Sequence, residues 1–501
     1  MDHTGYNGQV TSRPVATRPA EREFFGHPRA LATLFFTEMW ERFSYYGMRA
    51  ILALYLYSAV SDGGLGVPQS SALSLVSVYG AGVYMASLPG GWVADRLLGA
   101  RRSVLAGGIL IMCGHFTLAV PGIVTVYAGL LLIVLGTGLL KPNISAIVGE
   151  LYGDDDPRRD AGFSIFYMGV NVGALLAPLV CGYLGQRVDW HLGFAAAGAG
   201  MAAGLVQYAR GSRWLGDAGM HPANPLPAGG RRRVLGRLTA ATVAGIVLLA
   251  GLAAAGALTA DRAVDAISVL SVLLPVLYFT AMLRSPRLTA DERSRVRAYL
   301  PLFVAAALFF LVFEQASTVL TVFADEKTRT TLLGIEVPSS WYQSVNPVAI
   351  LVLAPVFAGV WMRMGPRQPS TPRKFAVAMV VIGSSFFLLA VAGRFGGPDG
   401  RVSPLWLLGV YVVQTVAELL LSPVGLSVTT KLAPAAFASQ TVGLWYLAVA
   451  AGQGIGAQVV TLYGRLADAV YFGAVGGAAV VLAGVLYQLA PRLEALMRGV
   501  R

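Results

Sequence analysis

Fourteen separate stretches of this chain are apolar enough and long enough to cross a bilayer, which restricts the fold to a bundle of helices. They fall at about 30–60, 71–97, 102–120, 123–151, 160–186, 190–211, 233–259, 264–283, 296–324, 340–364, 374–394, 403–431, 438–464 and 467–491. A helix needs about 20 residues to span a hydrocarbon core roughly 30 Å thick. Within lipid, every backbone N–H and C=O must be satisfied internally, and a continuous helix does this within one segment. Hydrophobic residues make up 55% of the chain and charged residues 13%, with a mean hydropathy of +0.63, too little charge to cover a water-facing surface. Residues 1–29 are polar and dotted with Pro and Gly, and read as a cytoplasmic tail. The first apolar run is too long for the core of a cleaved signal peptide.

A net charge of +12 raises the question of nucleic acid, and the distribution of that charge rejects it. If all fourteen stretches span, 28 of the 38 Lys and Arg lie on the side of both termini. Seven lie on the other side (Arg187, Arg262, Lys327, Arg329, Arg394, Arg401 and Arg465), and Arg42, Arg49 and Lys141 lie within helices. Such a bias places both termini in the cytoplasm, with the spanning helices in contact with the lipid bilayer. Cys113 and Cys181 both fall inside helical stretches, so no disulfide framework is readable, and the five histidines have no metal-ligand spacing. No nucleophile constellation or phosphate-cradling loop is present. Neither an enzyme nor a cofactor or metal site is expected.

The chain divides into a tail at 1–29, a six-helix bundle at 30–212, a linker carrying two inserted helices at 213–290, and a second six-helix bundle at 291–497. The inserted pair has no ionisable residue inside the membrane and reads as peripheral. Two six-helix halves with a midplane site between them are a transporter plan. The run from Gly91 through Asp95, Arg96 and Gly99 to Arg101 and Arg102 matches G-x3-D-R-x2-G-x-R-R, the loop pattern of the major facilitator superfamily. It reads as a structural latch that reports fold and not substrate.

Charge inside a membrane costs roughly 2.5–3.5 kcal/mol per residue and marks function by default. On the first helix, Glu38, Glu41, Arg42, Tyr45 and Arg49 fall within an arc of about 100°. A structural ion pair between Glu38 and Arg42, at i and i+4, accounts for two of those charges at most, and a desolvated pair is a poor stabiliser. Lys141 on the fourth stretch, Glu314 on the ninth and Glu418 on the twelfth complete the intramembrane charges singled out, with Asn171, Asn346, Gln315 and Ser422 adding neutral hydrogen-bonding capacity. The cations Arg42 and Lys141 come from the first bundle and the anions Glu314 and Glu418 from the second, so a cavity between them suits a zwitterion. Tyr45, Tyr46, Tyr84, Tyr167, Trp341 and Trp445 are candidates for its walls.

At these positions the chain resembles the proton-dependent oligopeptide transporter (POT) family. Glu38 to Gly47 gives E-x-x-E-R-F-x-Y-Y-G in full, and Phe163 to Gly173 matches a second family signature on the fifth helix. Gly138 to Asn143, Gln343 to Pro347 and Glu418 to Gly425 are similar to further family stretches. The resemblance implies uptake of di- and tripeptides by alternating access in a monomer, with protons as the coupling ion. It implies that Arg42 and Lys141 bind the peptide carboxylate, and Glu418, Asn171 and Asn346 the amino terminus. Tyr45, Tyr46, Tyr84, Phe310, Ser422 and Trp445 complete the expected pocket. Arg49 with Glu314 is expected as one gate and Lys141 with Glu418 as its counterpart, while Glu38 and Glu41 couple the Glu314 proton to Arg42. Phe310 departs from the family's usual Trp and lacks an indole N–H donor. Another solute on the same scaffold, such as nitrate, an amino-acid conjugate or a drug, and a non-transporting peptide sensor are the rival readings.

Overall fold

The structure, a computed structural model, describes residues 23–153, 156–227, 230–256, 259–332, 334–397 and 400–499. Most of the expected tail therefore lies outside the described residues. Fourteen long helices occupy the described chain: α1 Arg29–Tyr57, α2 Gln69–Leu98, α3 Ala100–Leu118, α4 Ile123–Glu150, α5 Arg159–Val188, α6 Trp190–Leu215, α7 Gly230–Ala254 and α8 Ala260–Arg284, then α9 Ala290–Lys327, α10 Ser339–Arg367, α11 Thr371–Phe395, α12 Pro404–Leu432, α13 Ala438–Val459 and α14 Asp468–Leu496. Each falls on one of the fourteen apolar stretches. Ten are long and apolar enough to cross a membrane on length and composition alone. Helix α1 misses that standard because Glu38, Glu41, Arg42 and Arg49 interrupt it, yet all four are buried in the protein and not offered to lipid.

Within the first half, α1 packs on α5 and α6, and α3 and α4 pair along their length. In the second, α11 packs on α12 and α14, and α10 packs on α12. The halves meet through α2 against α13 and α5 against α10, and α8 lies across the α2–α13 seam. A two-residue hairpin, Thr331–Leu332 paired with Ile335–Glu336, joins α9 to α10. It marks the far face, opposite the terminal face where α1 begins.

Helix α9 is interrupted part-way along its length. The α-helix stops at Phe313, Glu314–Ser317 forms a tighter turn, and Thr318 leaves helical geometry at φ −128, ψ −95. Hydroxyls cover the carbonyls that the break releases: Ser317 donates to Glu314 O at 3.2 Å, Thr318 to Gln315 O at 3.4 Å and Thr321 to Ala316 O at 2.9 Å. Such side-chain bonds offer the backbone an alternative to the helical ladder.

The α3–α4 contact depends on glycine. A methyl group on Gly107 would lie 2.5 Å from Gly136 O and 2.9 Å from Leu140 N, both backbone atoms that cannot swing aside. Small residues of this kind let helices in lipid approach closely enough to pack. Gly107→Ala is therefore expected to destabilise the protein by about 1–3 kcal/mol through overpacking. Gly477→Ala on α14, where the added methyl meets nothing within 4 Å, is expected to be neutral or slightly stabilising. Melting curves of both variants in detergent check the pair, and equal midpoints would remove close α3–α4 packing as the reason for the glycine.

Candidate functional site

A cavity of ≈ 330 Å³ lies between the halves, the size of a small-molecule site. The face of α1 that the sequence marks as charged supplies Glu38, Arg42, Tyr46 and Arg49; α4 supplies Lys141 and Ser145; and α5 supplies Phe166, Tyr167 and Asn171. From the second half come Phe313, Glu314 and Ser317 of α9, Gln343 and Asn346 of α10, Tyr411, Gln414 and Glu418 of α12, and Tyr446 of α13. Helical spacing brings these groups together: positions 38, 42, 46 and 49 recur at three- and four-residue intervals, so one stripe of α1 meets the cavity.

The charged groups divide into three clusters. In the first, Arg42 Nε stands 3.1 Å from Glu38 Oε1 and 2.5 Å from Glu41 Oε2, with all three side chains buried. Glu41 is not among the residues lining the cavity. Among the described residues both of its carboxylate oxygens lack an aligned hydrogen bond, as do Arg42 Nε and Nη2. The Arg42 guanidinium carbon also lies 5.3 Å from the Tyr45 ring centre. Two acids held against one base at this depth form a network whose members depend on each other's charge.

In the second cluster, Arg49 Nη2 of the first half donates to Glu314 Oε2 of the second at 2.8 Å and to Ser317 Oγ at 2.6 Å. Arg49 Nη1 reaches Tyr45 Oη at 3.4 Å. The break in α9 places Glu314 and Ser317 on one tight turn, so a single guanidinium engages both. The third cluster centres on Glu418, whose Oε2 accepts from Asn346 Nδ2 at 3.0 Å while the same amide nitrogen donates to Thr415 Oγ1 at 2.9 Å. Lys141 makes no ion pair with Glu418 among the described residues. Its ammonium sits 4.1 Å from the Tyr84 ring centre and 5.9 Å from that of Tyr446, a cation–π arrangement.

Polar contacts across the seam concentrate towards the far face. Tyr57 donates to Asp325 at 3.0 Å, Gln69 to Glu326 at 2.7 Å, Gln186 to Ser339 at 2.7 Å, Trp341 Nε1 to Leu179 O at 3.2 Å and Ser344 to Leu175 O at 2.9 Å. With the Arg49–Glu314 pair they close the cavity on that side, so Trp341 acts in this seal and not as a cavity wall.

Of the expected pocket residues, Arg42, Tyr46, Lys141, Asn171, Asn346 and Glu418 line the cavity. Tyr45, Tyr84, Phe310, Ser422 and Trp445 do not. Phe310 and Trp445 instead pack edge to face, 5.6 Å between ring centres, with Gly425 leaving room for the indole. Tyr84 stacks on Tyr446 at 6.2 Å and reaches the site through Lys141. Sequence reasoning missed Ser145, Gln343, Tyr411, Gln414 and Tyr446. Ser145 was findable, one helical turn from Lys141; Tyr446 was not, because its neighbour Trp445 is the more conspicuous residue and lies 100° around the same helix.

The POT family profile matches residues 101–475. A di-/tripeptide transporter of Lactococcus lactis subsp. cremoris is 44% identical over 93% of this chain and 95% of its own length. The peptide transporter YePEPT of Yersinia enterocolitica is 38% identical over 87% of this chain and 88% of its own. The fold is similar to that of the crystal structure of a peptide transporter POT in complex with sulfate, with a TM-score of 0.93 and 50% identity, covering 96% of this chain and 98% of that one. A POT family transporter in complex with 5-aminolevulinic acid superimposes with a TM-score of 0.90 at 41% identity, covering 94% and 98%. Two six-helix halves with an inserted pair, the doubly charged site between them and these likenesses give one conclusion: the chain belongs to the POT family.

Proposed function

We propose that this protein is a proton-coupled symporter that imports di- and tripeptides by alternating access. The observation that carries the reading is the arrangement of opposite charges across one cavity, with Arg42 and Lys141 on the first half and Glu418, held by Asn346, on the second. A zwitterion of peptide size places its carboxylate at the cations and its ammonium at Glu418. The names of the Lactococcus and Yersinia relatives support a peptide as that zwitterion. The halves of the mechanism are 30–212 and 291–497, joined by the linker and insert at 213–290. The excess of Lys and Arg on the terminal face supports an inner-membrane protein with both termini in the cytoplasm, and the proposed working unit is a monomer.

In this reading the structure corresponds to the state open towards the terminal face. The Arg49–Glu314 pair holds the far side shut, and protonation of Glu314 removes the charge that Arg49 holds, releasing the far face for the return step. Glu38 and Glu41 compete with a substrate carboxylate for Arg42, so the protonation of either acid and the binding of peptide favour one another. Lys141, resting on Tyr84 without an acid partner, is free to meet the substrate or, once the terminal side closes, Glu418.

Two substitutions test these assignments in proteoliposomes. Glu314→Gln, which keeps the shape and removes the proton site, is expected to abolish accumulation driven by an inward proton gradient while leaving exchange of dialanine across the membrane measurable; gradient-driven accumulation at the native rate would remove Glu314 from coupling. Glu418→Ala is expected to weaken dialanine by about 10- to 100-fold, the loss of one charge-assisted hydrogen bond, and N-acetyl-dialanine far less. Competition against a labelled dipeptide reads the difference, and equal losses for both ligands would take Glu418 out of ammonium recognition.

A further inference from the structure

A second cavity lies on the terminal face, away from the transport path. It has a volume of ≈ 340 Å³ and is formed where the α2–α3 turn meets the linker that follows α6. Backbone groups of the linker fasten it there. Arg101 N donates to Gly219 O at 2.8 Å, Asn224 N to Asp95 O at 2.9 Å, and Gly219 N to Glu150 Oε2 at 2.7 Å. The Arg101 guanidinium serves the same task, bonding Gly216 O at 2.7 Å and Ser212 O at 2.9 Å.

The other two arginines of the turn are used differently. Arg96 and Arg102 both line the cavity, with His221 of the linker completing its basic wall. Arg96 donates to the neutral Asn224 Oδ1 at 3.2 Å, and among the described residues Arg102 has no hydrogen-bond or ion-pair partner. Gly99, at φ 80, turns the chain so that α3 begins at this cavity without a side-chain cap, adding the positive end of a helix to the two guanidiniums. The remaining lining is apolar, with Leu97, Leu98, Met220 and Leu226.

The ligand follows from what continues below the cavity. Arg102 heads a stripe of exposed residues down α3, namely Leu105, Ile109, Cys113 and Phe116. At 100° per residue these five fall within an arc of about 80°, so the basic cavity opens onto an apolar track facing the bilayer. A free anion has no use for that track. Basic pockets between helices at this level of a membrane protein suit anionic headgroups.

We propose that Arg96, Arg102 and His221 bind the phosphate of an anionic phospholipid whose acyl chain lies along Leu105, Ile109 and Phe116. The bound lipid bridges the linker to the α2–α3 turn and fixes the base of the inserted helix pair to the first half. This assignment is independent of which solute the protein carries.

The test uses the purified full chain in neutral detergent, titrated separately with phosphatidylglycerol, phosphatidylcholine of the same acyl chains, and inorganic phosphate. Retained lipid is read by native mass spectrometry and Tm by thermal melt. Phosphatidylglycerol is expected to be retained and to raise Tm, phosphatidylcholine to do neither, and the Arg96→Gln, Arg102→Gln variant to bind phosphatidylglycerol about tenfold more weakly or less. If that variant elutes as aggregate, His221→Ala on the linker carries the same comparison, with a smaller loss expected. Protection by inorganic phosphate equal to that by phosphatidylglycerol would overturn the lipid in favour of a free anion. Equal retention of the two lipids, or unchanged retention in the variants, would overturn the site.

Discussion

The ion pair between Arg49 and Glu314 joins the two halves of this molecule within its buried, apolar interior, where charge is costly. Each partner satisfies the other, and neither has an inexpensive alternative inside the protein. Ser317 lies three residues after Glu314 on the same face of α9, so one guanidinium holds both groups. The pair also accounts for the burial of Tyr45, which lies between Arg42 and Arg49 and touches both charged clusters. In the proposed cycle, a contact across the seam that must open, its strength set by one proton, lets the cavity respond to pH.

The three clusters divide the work of the cavity. Glu38, Glu41 and Arg42 form a buried network in which donors of Arg42 and oxygens of both carboxylates are left without aligned partners. Such a network is costly while its charges are fixed and becomes useful when a proton or a substrate carboxylate changes the count. Glu418 has a neutral amide as its hydrogen-bond partner, which leaves its charge available to a ligand ammonium. Lys141, cushioned by Tyr84, makes no ion pair among the described residues. Opposite charges held apart by aromatic and amide partners make a receptor; had they paired directly, they would have closed it.

Much of this was legible in the sequence, for a physical reason. Intramembrane charge is expensive, so Arg42, Arg49, Lys141, Glu314 and Glu418 stand out against the apolar residues that flank them along the chain, and apolar length alone located all fourteen long helices. The orientation of individual aromatics was less legible. Trp445 and Tyr446 are both plausible walls, and only the rotation of α13 decides that the tyrosine faces the cavity and the indole faces Phe310. The break in α9 was also hidden, because Glu314 to Thr318 contains no proline or glycine to announce it. Serine and threonine hydroxyls make that break possible, and they carry no such signal when read along the chain. The linker docks mainly through its own backbone carbonyls and amides, which every sequence has, held in part by the side chains of Arg101 and Glu150.

The central claim is that a proton gradient drives a peptide through the cavity between the halves. Uptake of labelled dialanine into proteoliposomes, with and without an inward proton gradient and alongside Arg42→Ala, tests it most directly. The account predicts accumulation above equilibrium only with the gradient, abolished by a protonophore and absent from the variant. Uptake that ignores the gradient, or no uptake by a well-folded preparation, would contradict it.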